Sequence, residues 1–125
     1  PYPNLEQLLE SEETLSTDRL WLEKVERVAF QQIGQAGLTP EGLALELAVS
    51  SRHLRRKLKQ LTGMSTADYL REIRLQKARR LLENKACDTV AEACYAVGLS
   101  DFRHFSKIFH QRFGRNPSHY LNEDA

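Results

Sequence analysis

The stretch RHLRRKLKQLTGMSTADYL, residues 52–70, recurs in altered form as RHFSKIFHQRFGRNPSHYL, residues 103–121. At this offset of 51, basic, apolar, glycine and tyrosine positions coincide. Upstream, residues 47–49 match residues 97–99 at an offset of 50. The second copy therefore has one additional residue, and it falls in the turn between the two helices of the unit. Two generic amphipathic helices in chance register would not share glycines, caps and tyrosines. The chain therefore contains a duplicated helix-turn-helix, in which a short helix and a tight turn precede a longer helix.

Helix start and stop signals divide the rest of the chain into helices, whereas strand signals are scarce. Pro40 follows Thr39 at a favoured first helical position, and Thr89 with Glu92 predicts a capping box. The pattern predicts an all-α fold of seven helices. Two homeodomain-like helix-turn-helix subdomains, about 39–62 and 89–114, are joined by a long linker helix. The predicted helices cover about residues 18–33, 40–47, 51–61, 65–83, 90–97, 101–113 and 117–121.

Residues 1–17 differ from the rest of the chain, because they are acidic and rich in Ser and Thr after a Pro-Tyr-Pro start. We expect them to form an interdomain linker, with at most a short helical turn around Leu5 to Leu9. The folded domain is then expected over residues 18–125. Since the sequence begins with Pro1 and not with Met, we expect it to be part of a longer protein.

The net charge of +1 conceals an uneven distribution. Residues 1–18 hold five acidic residues and no Lys or Arg, whereas residues 51–80 hold ten basic residues against two acidic ones. Such asymmetry indicates a polyanionic partner. At 41% apolar residues the chain is too apolar for a disordered tail. No apolar run approaches the roughly 18 residues of a membrane span.

The second helix of each unit is the expected DNA-reading element, because it enters the major groove in helix-turn-helix proteins. In the first unit, Leu54, Leu58 and Leu61 form an apolar face, and the opposite face is basic. A solvated surface usually mixes charge signs and this one does not, so we favour contact with DNA, where Arg reads guanine and Arg or Lys neutralises phosphates. The candidate residues are Ser51, Arg52, His53, Arg55, Arg56, Lys57 and Lys59.

The second unit is less basic, and Phe105, Phe109 and Phe113 form its expected buried face. It would contact DNA more weakly or through hydrogen bonds, and His104 is either a groove-facing donor or an ordinary surface histidine. A linker helix of about 27 Å suits two recognition helices about 34 Å apart in successive major grooves. The candidate residues are Ser100, Asp101, Phe102, Arg103, His104, Ser106 and Lys107.

Motifs for catalysis, cofactors and metals are absent from the sequence. There is no glycine-rich phosphate loop, no HExxH and no CxxC. Serines at helix starts are better explained as caps than as nucleophiles, and Cys94 fits a small core residue in a reducing compartment. We expect no enzymatic activity, no cofactor and no metal. The alternative to DNA binding is a helical module whose basic faces dock an acidic protein.

The stretch TVAEACYAVGLSDFRHFSKIFHQRFGRNPSHY, residues 89–120, resembles the second helix-turn-helix of AraC-type (AraC/XylS) transcription regulators. Residues 43–82 are similar to the family's first unit and linker helix, and the resemblance covers about residues 38–121. Leu99 stands where the family more often has Phe, and Ala48 stands where Gly is frequent. The matching positions are Ala91, Glu92, Val97, Gly98, Ser100, Asp101, Phe105, Phe109, Gly114, Pro117, Ser118 and Tyr120.

The resemblance implies a cytoplasmic activator that binds double-stranded promoter DNA at repeated half-sites. RNA polymerase would be a partner, a homodimer could form through other regions, and this part of the protein would not contact a membrane. Residues 18–37 look like the helix before this domain in hybrid two-component sensors and response regulators. This similarity favours an upstream receiver domain. If the full-length protein is a hybrid sensor kinase, we expect it to be anchored in the membrane. An upstream domain that binds a small-molecule effector is the alternative.

Overall fold

The computed structural model describes residues 4–34 and 37–121. These residues form seven helices and no strand, which confirms the predicted all-α fold. Helices α2 and α3 form the first helix-turn-helix unit, α5 and α6 form the second, and α4 joins them. The helices are α1 (Leu5–Ile33), α2 (Pro40–Glu46), α3 (Ser51–Thr62), α4 (Thr66–Glu83), α5 (Val90–Ala96), α6 (Phe102–Phe113) and α7 (Pro117–Leu121).

The linker helix α4 is the centre of the packing. It contacts α1, α2 and α3 from the first half of the chain, and α5 and α7 from the second half. Both of its predicted apolar faces are buried, with Tyr69 and Ile73 near its start and Ala78 and Leu82 further along. One apolar cluster runs through the two units, so neither unit has a separate core. The position of each recognition helix therefore depends on α4.

The two helix-turn-helix turns have the same backbone geometry. In the first turn, Val49 N–H donates to Ala44 O and Ala48 N–H donates to Leu45 O, both at 3.0 Å. This pair of bonds is a Schellman motif, which needs one residue in the left-handed region. That residue is Ala48 in the first unit, with φ 58°, and Gly98 in the second, with φ 83°. In the second turn, Gly98 N–H donates to Tyr95 O and Leu99 N–H donates to Cys94 O, so the motif is repeated although alanine replaces glycine in one copy.

The prediction of a mostly irregular segment over residues 1–17 is wrong where the structure describes it, because α1 begins at Leu5. Asn4 caps the helix, and its side chain accepts from Glu6 N–H at 3.0 Å. Leu, Glu and Gln favour helix, and neither Gly nor Pro interrupts residues 5–33. The hydroxyl groups that suggested a linker, such as that of Thr14, donate to the carbonyl four residues earlier. Whether this segment links two domains stays a prediction.

Side-chain caps begin helices α2 to α6 close to the predicted positions. The prediction of a capping box at Thr89 is half right: Glu92 N–H donates to Thr89 Oγ1 at 3.1 Å, but the Glu92 carboxylate accepts from Asp88 N–H. Helix α6 begins at Phe102, one residue later than predicted, because Asp101 is its N-cap. Ser50 and Ser65 cap α3 and α4.

Both cysteines are buried and free, as the core interpretation of Cys94 predicts. Burial raises the pKa of each thiol, and nearby carboxylates raise it further: Glu92 and Asp88 at Cys87, and Asp101 at Cys94. The neutral thiol is therefore favoured, which suits a packing role.

Candidate nucleic-acid interface

The outward face of α3 presents two arginines one helical turn apart. Leu54 and Leu58 are fully buried and hold the opposite face of the helix against the core. Arg52 and Arg56 point away from that core and are exposed, with Gln60 one turn further along. Together with Ser50, His53 and Lys57 they line an open depression on the protein surface. The helix therefore offers a row of hydrogen-bond donors that could enter a groove.

The start of α3 is held by a cap that leaves its first turn available. Ser50 Oγ accepts from His53 N–H at 3.0 Å. Ser51, Arg52 and His53 are exposed immediately after the cap. In a helix-turn-helix, the first turns of the second helix reach the base edges. The cap and the turn before it thus place these side chains where contact with the base edges is expected.

Two predicted site residues of α3 have partners within the domain. Lys57 is half-buried, and its Nζ lies 4.5 Å from the centre of the Trp21 ring on α1. Lys59 Nζ donates to the carbonyl of Gly63, at 2.9 Å, and so caps the end of its own helix. Arg55 is exposed but lies toward Ser65, beside the central row. The sequence identified the charges of α3 and could not separate these three from Arg52 and Arg56.

The outward face of α6 repeats the arrangement with fewer charges. Arg103, His104 and Lys107 are exposed, at positions that match Arg52, His53 and Arg56 of α3. Phe102 is 45% exposed at the first turn. Ser100 is exposed beside the cap, and Ser106 is half-buried.

Asp101 has a structural role that the sequence assigned only in part. Its carboxylate accepts from Arg103 N–H and from His104 N–H, both at 3.1 Å. It is the N-cap of α6, and its negative charge would repel a phosphate at that end. We therefore expect Asp101 to orient α6 more than to bind DNA.

Sequence reasoning missed two glutamines. Gln60 on α3 and Gln111 on α6 are exposed and match each other at the offset of 51, although Gln111 lines a depression with Asp68 and Arg71 of α4. Gln60 lies one turn beyond Arg56 in the surface depression. A signal was present, since Arg52, Arg56 and Gln60 recur every four residues. The prediction gave weight to charge and overlooked an amide that can pair with adenine.

Aromatic rings hold α6 against the rest of the second unit. Phe109 is fully buried, and its ring centre lies 5.6 Å from Phe105, 4.7 Å from Phe113 and 5.8 Å from Tyr120 on α7. The inclined ring pairs are favourable arrangements for aromatic side chains. The predicted phenylalanine face is confirmed, with Phe113 half-buried at its end.

An ion pair fixes the end of α6 to the linker helix. Arg112 Nε donates to both carboxylate oxygens of Glu72, at 2.7 and 2.8 Å, and Nη2 lies 2.7 Å from Oε1. Burial alone would raise the pKa of Glu72, but hydrogen bonds from Arg112 and Gln76 and the charges of Arg112 and Arg79 bring it below its usual value. Arg112 therefore serves the fold and not the outward face.

The basic residues of the linker helix are likewise engaged inside the domain. Arg71 pairs with Asp68 at 2.8 Å, and Arg79 lies 3.3 Å from Glu83. Lys77 donates to the carbonyl of Phe30, and Arg80 stacks over the ring of that residue. The positive charge of residues 51–80 thus exceeds the charge that is free to face a partner, because these α4 cations have an acidic, carbonyl or aromatic partner within the domain.

Within the described residues, no cluster of three or more His, Cys, Asp or Glu side chains could hold a metal ion. None of the helices in residues 4–34 and 37–121 combines the length and the apolar character of a membrane span.

Comparison with known proteins agrees with this geometry. The family model for a helix-turn-helix domain matches residues 43–123. The activator RhaS of Shigella boydii is 40% identical over 77 residues, 62% of this chain and 27% of RhaS. Histidine kinase P4 of Formosa agariphila is 30% identical over 122 residues, 97% of this chain and 9% of the kinase. The chain thus spans about a quarter or less of these two relatives.

Solved structures show the same architecture. A regulator from Chromobacterium violaceum with an AraC-type DNA-binding domain superposes with a TM-score of 0.75 at 26% identity, covering 88% of this chain and 96% of that one. The segment that matches is a DNA-binding domain and not a catalytic domain, as the sequence predicts. The chain belongs to the AraC/XylS family of transcription regulators, and it carries their tandem helix-turn-helix DNA-binding domain.

Proposed function

We propose that the domain recognises a specific double-stranded DNA site through the first turns of α3 and α6, placed in adjacent major grooves. The observation that carries this proposal is the exposed pair Arg52 and Arg56, one turn apart on the face opposite the core. Arg103 and Lys107 repeat it on α6. A bidentate arginine–guanine contact discriminates against the wrong base by about 1–3 kcal/mol.

The predicted site residues divide into two groups under this proposal. Arg52, His53 and Arg56 on α3 contact base edges or nearby phosphates, together with Gln60. Arg103, His104 and Lys107 do so on α6, together with Gln111. The remaining candidates act at the margin: Arg55 and Lys59 neutralise phosphates, Ser51, Ser100 and Ser106 donate hydrogen bonds, Phe102 packs on a base or sugar, and Lys57 and Asp101 orient the helices.

Selection of bound sequences from random duplex DNA, followed by footprinting, tests the proposal. Two protected patches about one helical turn apart are expected. Arg52→Ala and Arg56→Ala should each weaken binding to the selected site about 5- to 100-fold. Arg27→Ala, which removes an exposed arginine from α1, is the matched control and should change affinity little.

Two results would contradict specific recognition. Equal binding to any acidic polymer without a footprint would favour the protein-docking alternative. Unchanged affinity and footprint in both α3 variants would show that α3 does not read DNA.

The logarithm of the affinity should also fall linearly with the logarithm of the salt concentration, with a slope of about 0.9 per neutralised phosphate.

The wider context we infer is the output of a two-component phosphorelay in the cytoplasm. What supports it is the match to histidine kinase P4, which extends over 97% of this chain and therefore includes nearly all of α1. Residues 5–17 would connect the domain to a receiver domain, phosphorylation would promote a homodimer on repeated half-sites, and the bound dimer would activate transcription by contacting RNA polymerase.

A domain that binds a small-molecule effector is the second candidate for the upstream partner. The full-length protein distinguishes the two. Treatment with acetyl phosphate should tighten binding to a duplex with two copies of the selected site, while sugars should leave it unchanged. Tightening by a sugar without any response to acetyl phosphate would favour the effector domain instead.

A further inference from the structure

Arg74 on the linker helix donates hydrogen bonds to backbone carbonyls at both helix-turn-helix units, one just before α2 and one in the turn after α5. Its Nη2 donates to the carbonyl of Leu38, just before α2, at 2.7 Å. Its Nη1 donates to the carbonyl of Val97, in the turn between α5 and α6, at 2.5 Å. The two acceptors are separated by 59 residues of sequence and belong to different units. One guanidinium therefore bridges the first unit to the second.

The chemistry of arginine gives this bridge a fixed geometry. The guanidinium is planar and presents its donors in a fixed fork, so two carbonyls bound to it are held in a defined mutual position. The side chain is half-buried, and burial lowers the pKa of Arg74 from its ordinary value, although arginine stays charged. Hydrogen bonds from a charged donor are about twice as strong as neutral ones. A lysine at this position has one nitrogen and could not hold both acceptors in the same way.

The second turn is shaped to receive Arg74. A Cβ built on Gly98 would lie 2.5 Å from Nη1 and 3.5 Å from Cζ of Arg74. The equivalent turn of the first unit carries Ala48, at a similar positive φ. The two repeats therefore differ in residue type at this position, and the guanidinium lies against the turn that has glycine. Gly98 serves the left-handed turn and also leaves space for the bridge.

We infer that Arg74 is a positioning residue that sets the distance and angle between α3 and α6. It thereby sets the spacing of the two groove segments that one domain reads, which are called its half-sites in the test below. This inference rests on the proposed two-groove binding. Arg74 itself does not contact DNA in this scheme. Without it, each unit keeps its recognition helix and the shared apolar cluster still holds both units on α4, but the angle between α3 and α6 is fixed less strictly. Affinity for the preferred spacing then falls, and spacings that differ by one base pair are discriminated less.

The test compares wild type with Arg74→Lys on three duplexes: the selected site, the same site with one base pair inserted between the half-sites, and a single half-site. The insertion rotates one half-site by about 34° and moves it about 3.4 Å. In wild type the insertion should lower affinity about tenfold or more. In Arg74→Lys this ratio should shrink to about threefold or less, while half-site affinity stays within twofold of wild type.

Arg71→Lys is the matched control, since Arg71 lies nearly one turn away on α4 and pairs with Asp68; its spacing ratio should equal that of wild type. Gly98→Ala, which displaces Nη1, should reduce the ratio as Arg74→Lys does. The ratio does not depend on the active fraction, so it remains informative for a destabilised variant. A wild-type spacing ratio in both Arg74→Lys and Gly98→Ala would overturn the role of Arg74. If the footprint of the wild-type protein shows a single protected patch, the proposed two-groove binding is overturned instead.

Discussion

Replacing Ala48 by glycine should stabilise the domain. Ala48 has φ 58°, in the left-handed region, at the αL position of the Schellman motif that ends α2. Its side chain is exposed, so the methyl group contributes no buried contact that the substitution would remove. The equivalent residue of the second unit, Gly98, has φ 83° and is already glycine. The substitution therefore gives the first turn the residue type of the second.

The size of the effect follows from two opposing terms. An L-residue in the left-handed region costs about 1–2 kcal/mol, and the substitution removes that cost. Glycine also makes the unfolded chain more flexible, which lowers stability by about 0.4–1 kcal/mol. With the middle of each range, the net gain in the free energy of unfolding is about 0.8 kcal/mol. This corresponds to a rise in melting temperature of about 2–4 °C for a domain of this size.

Urea denaturation followed by helical circular dichroism measures this gain at constant pH and salt. The matched variant is Gly98→Ala, which creates a left-handed alanine and also displaces Arg74 Nη1, because the new Cβ would lie 2.5 Å from it. It should lower the free energy of unfolding by about 1 kcal/mol or more. The two substitutions thus have opposite signs at equivalent positions. A loss of stability in Ala48→Gly, with an unchanged m-value, would refute the strain argument.

Three further substitutions test the packing that positions the site. Phe105→Ala should cost about 3–5 kcal/mol in urea denaturation, because Phe105 is fully buried and would leave a cavity; an unchanged midpoint would contradict this. The pair of Glu72 with Arg112 should contribute stability that is full above the ordinary carboxylate pKa and is lost as pH falls through the lowered pKa of the folded state. Glu72→Gln should therefore flatten the stability profile between about pH 5 and pH 3, and a profile as steep as wild type would show that other carboxylates dominate. Lys57→Ala should lose about 0.5–1 kcal/mol through its contact with Trp21 and should weaken DNA binding less than Arg52→Ala or Arg56→Ala; a larger loss of affinity would place Lys57 in the groove.

The helix boundaries of the tandem units were predictable because their signals are local. Ser50, Ser65 and Thr89 each cap the helix that follows, and a side chain can cap only the backbone next to it in sequence. The burial of Leu54 and Leu58 on one face of α3 followed from their spacing. The start of α1 was missed, since hydroxyl groups such as that of Thr14 can bond within a helix or outside one.

The candidate site was predictable in composition and not in arrangement. Residue types placed positive charge on α3, yet Lys57 contacts Trp21 from another helix and Lys59 caps its own. The place of Gln60 in the exposed row was open to prediction, since it follows Arg56 by four residues on the face opposite Leu54 and Leu58. Charge in a sequence shows how many cations exist, but their partners depend on which helices pack together.

Local chemistry along the chain decides the seven helices, the duplicated turns and the face that each helix buries, because caps, glycines and apolar spacing act within one or two turns. Only the packed structure decides which cations stay outward and what joins the two units. Arg74 meets carbonyls that lie 36 residues before it and 23 residues after it. No local pattern encodes such a contact, since it exists only when α4 brings both units to the same guanidinium.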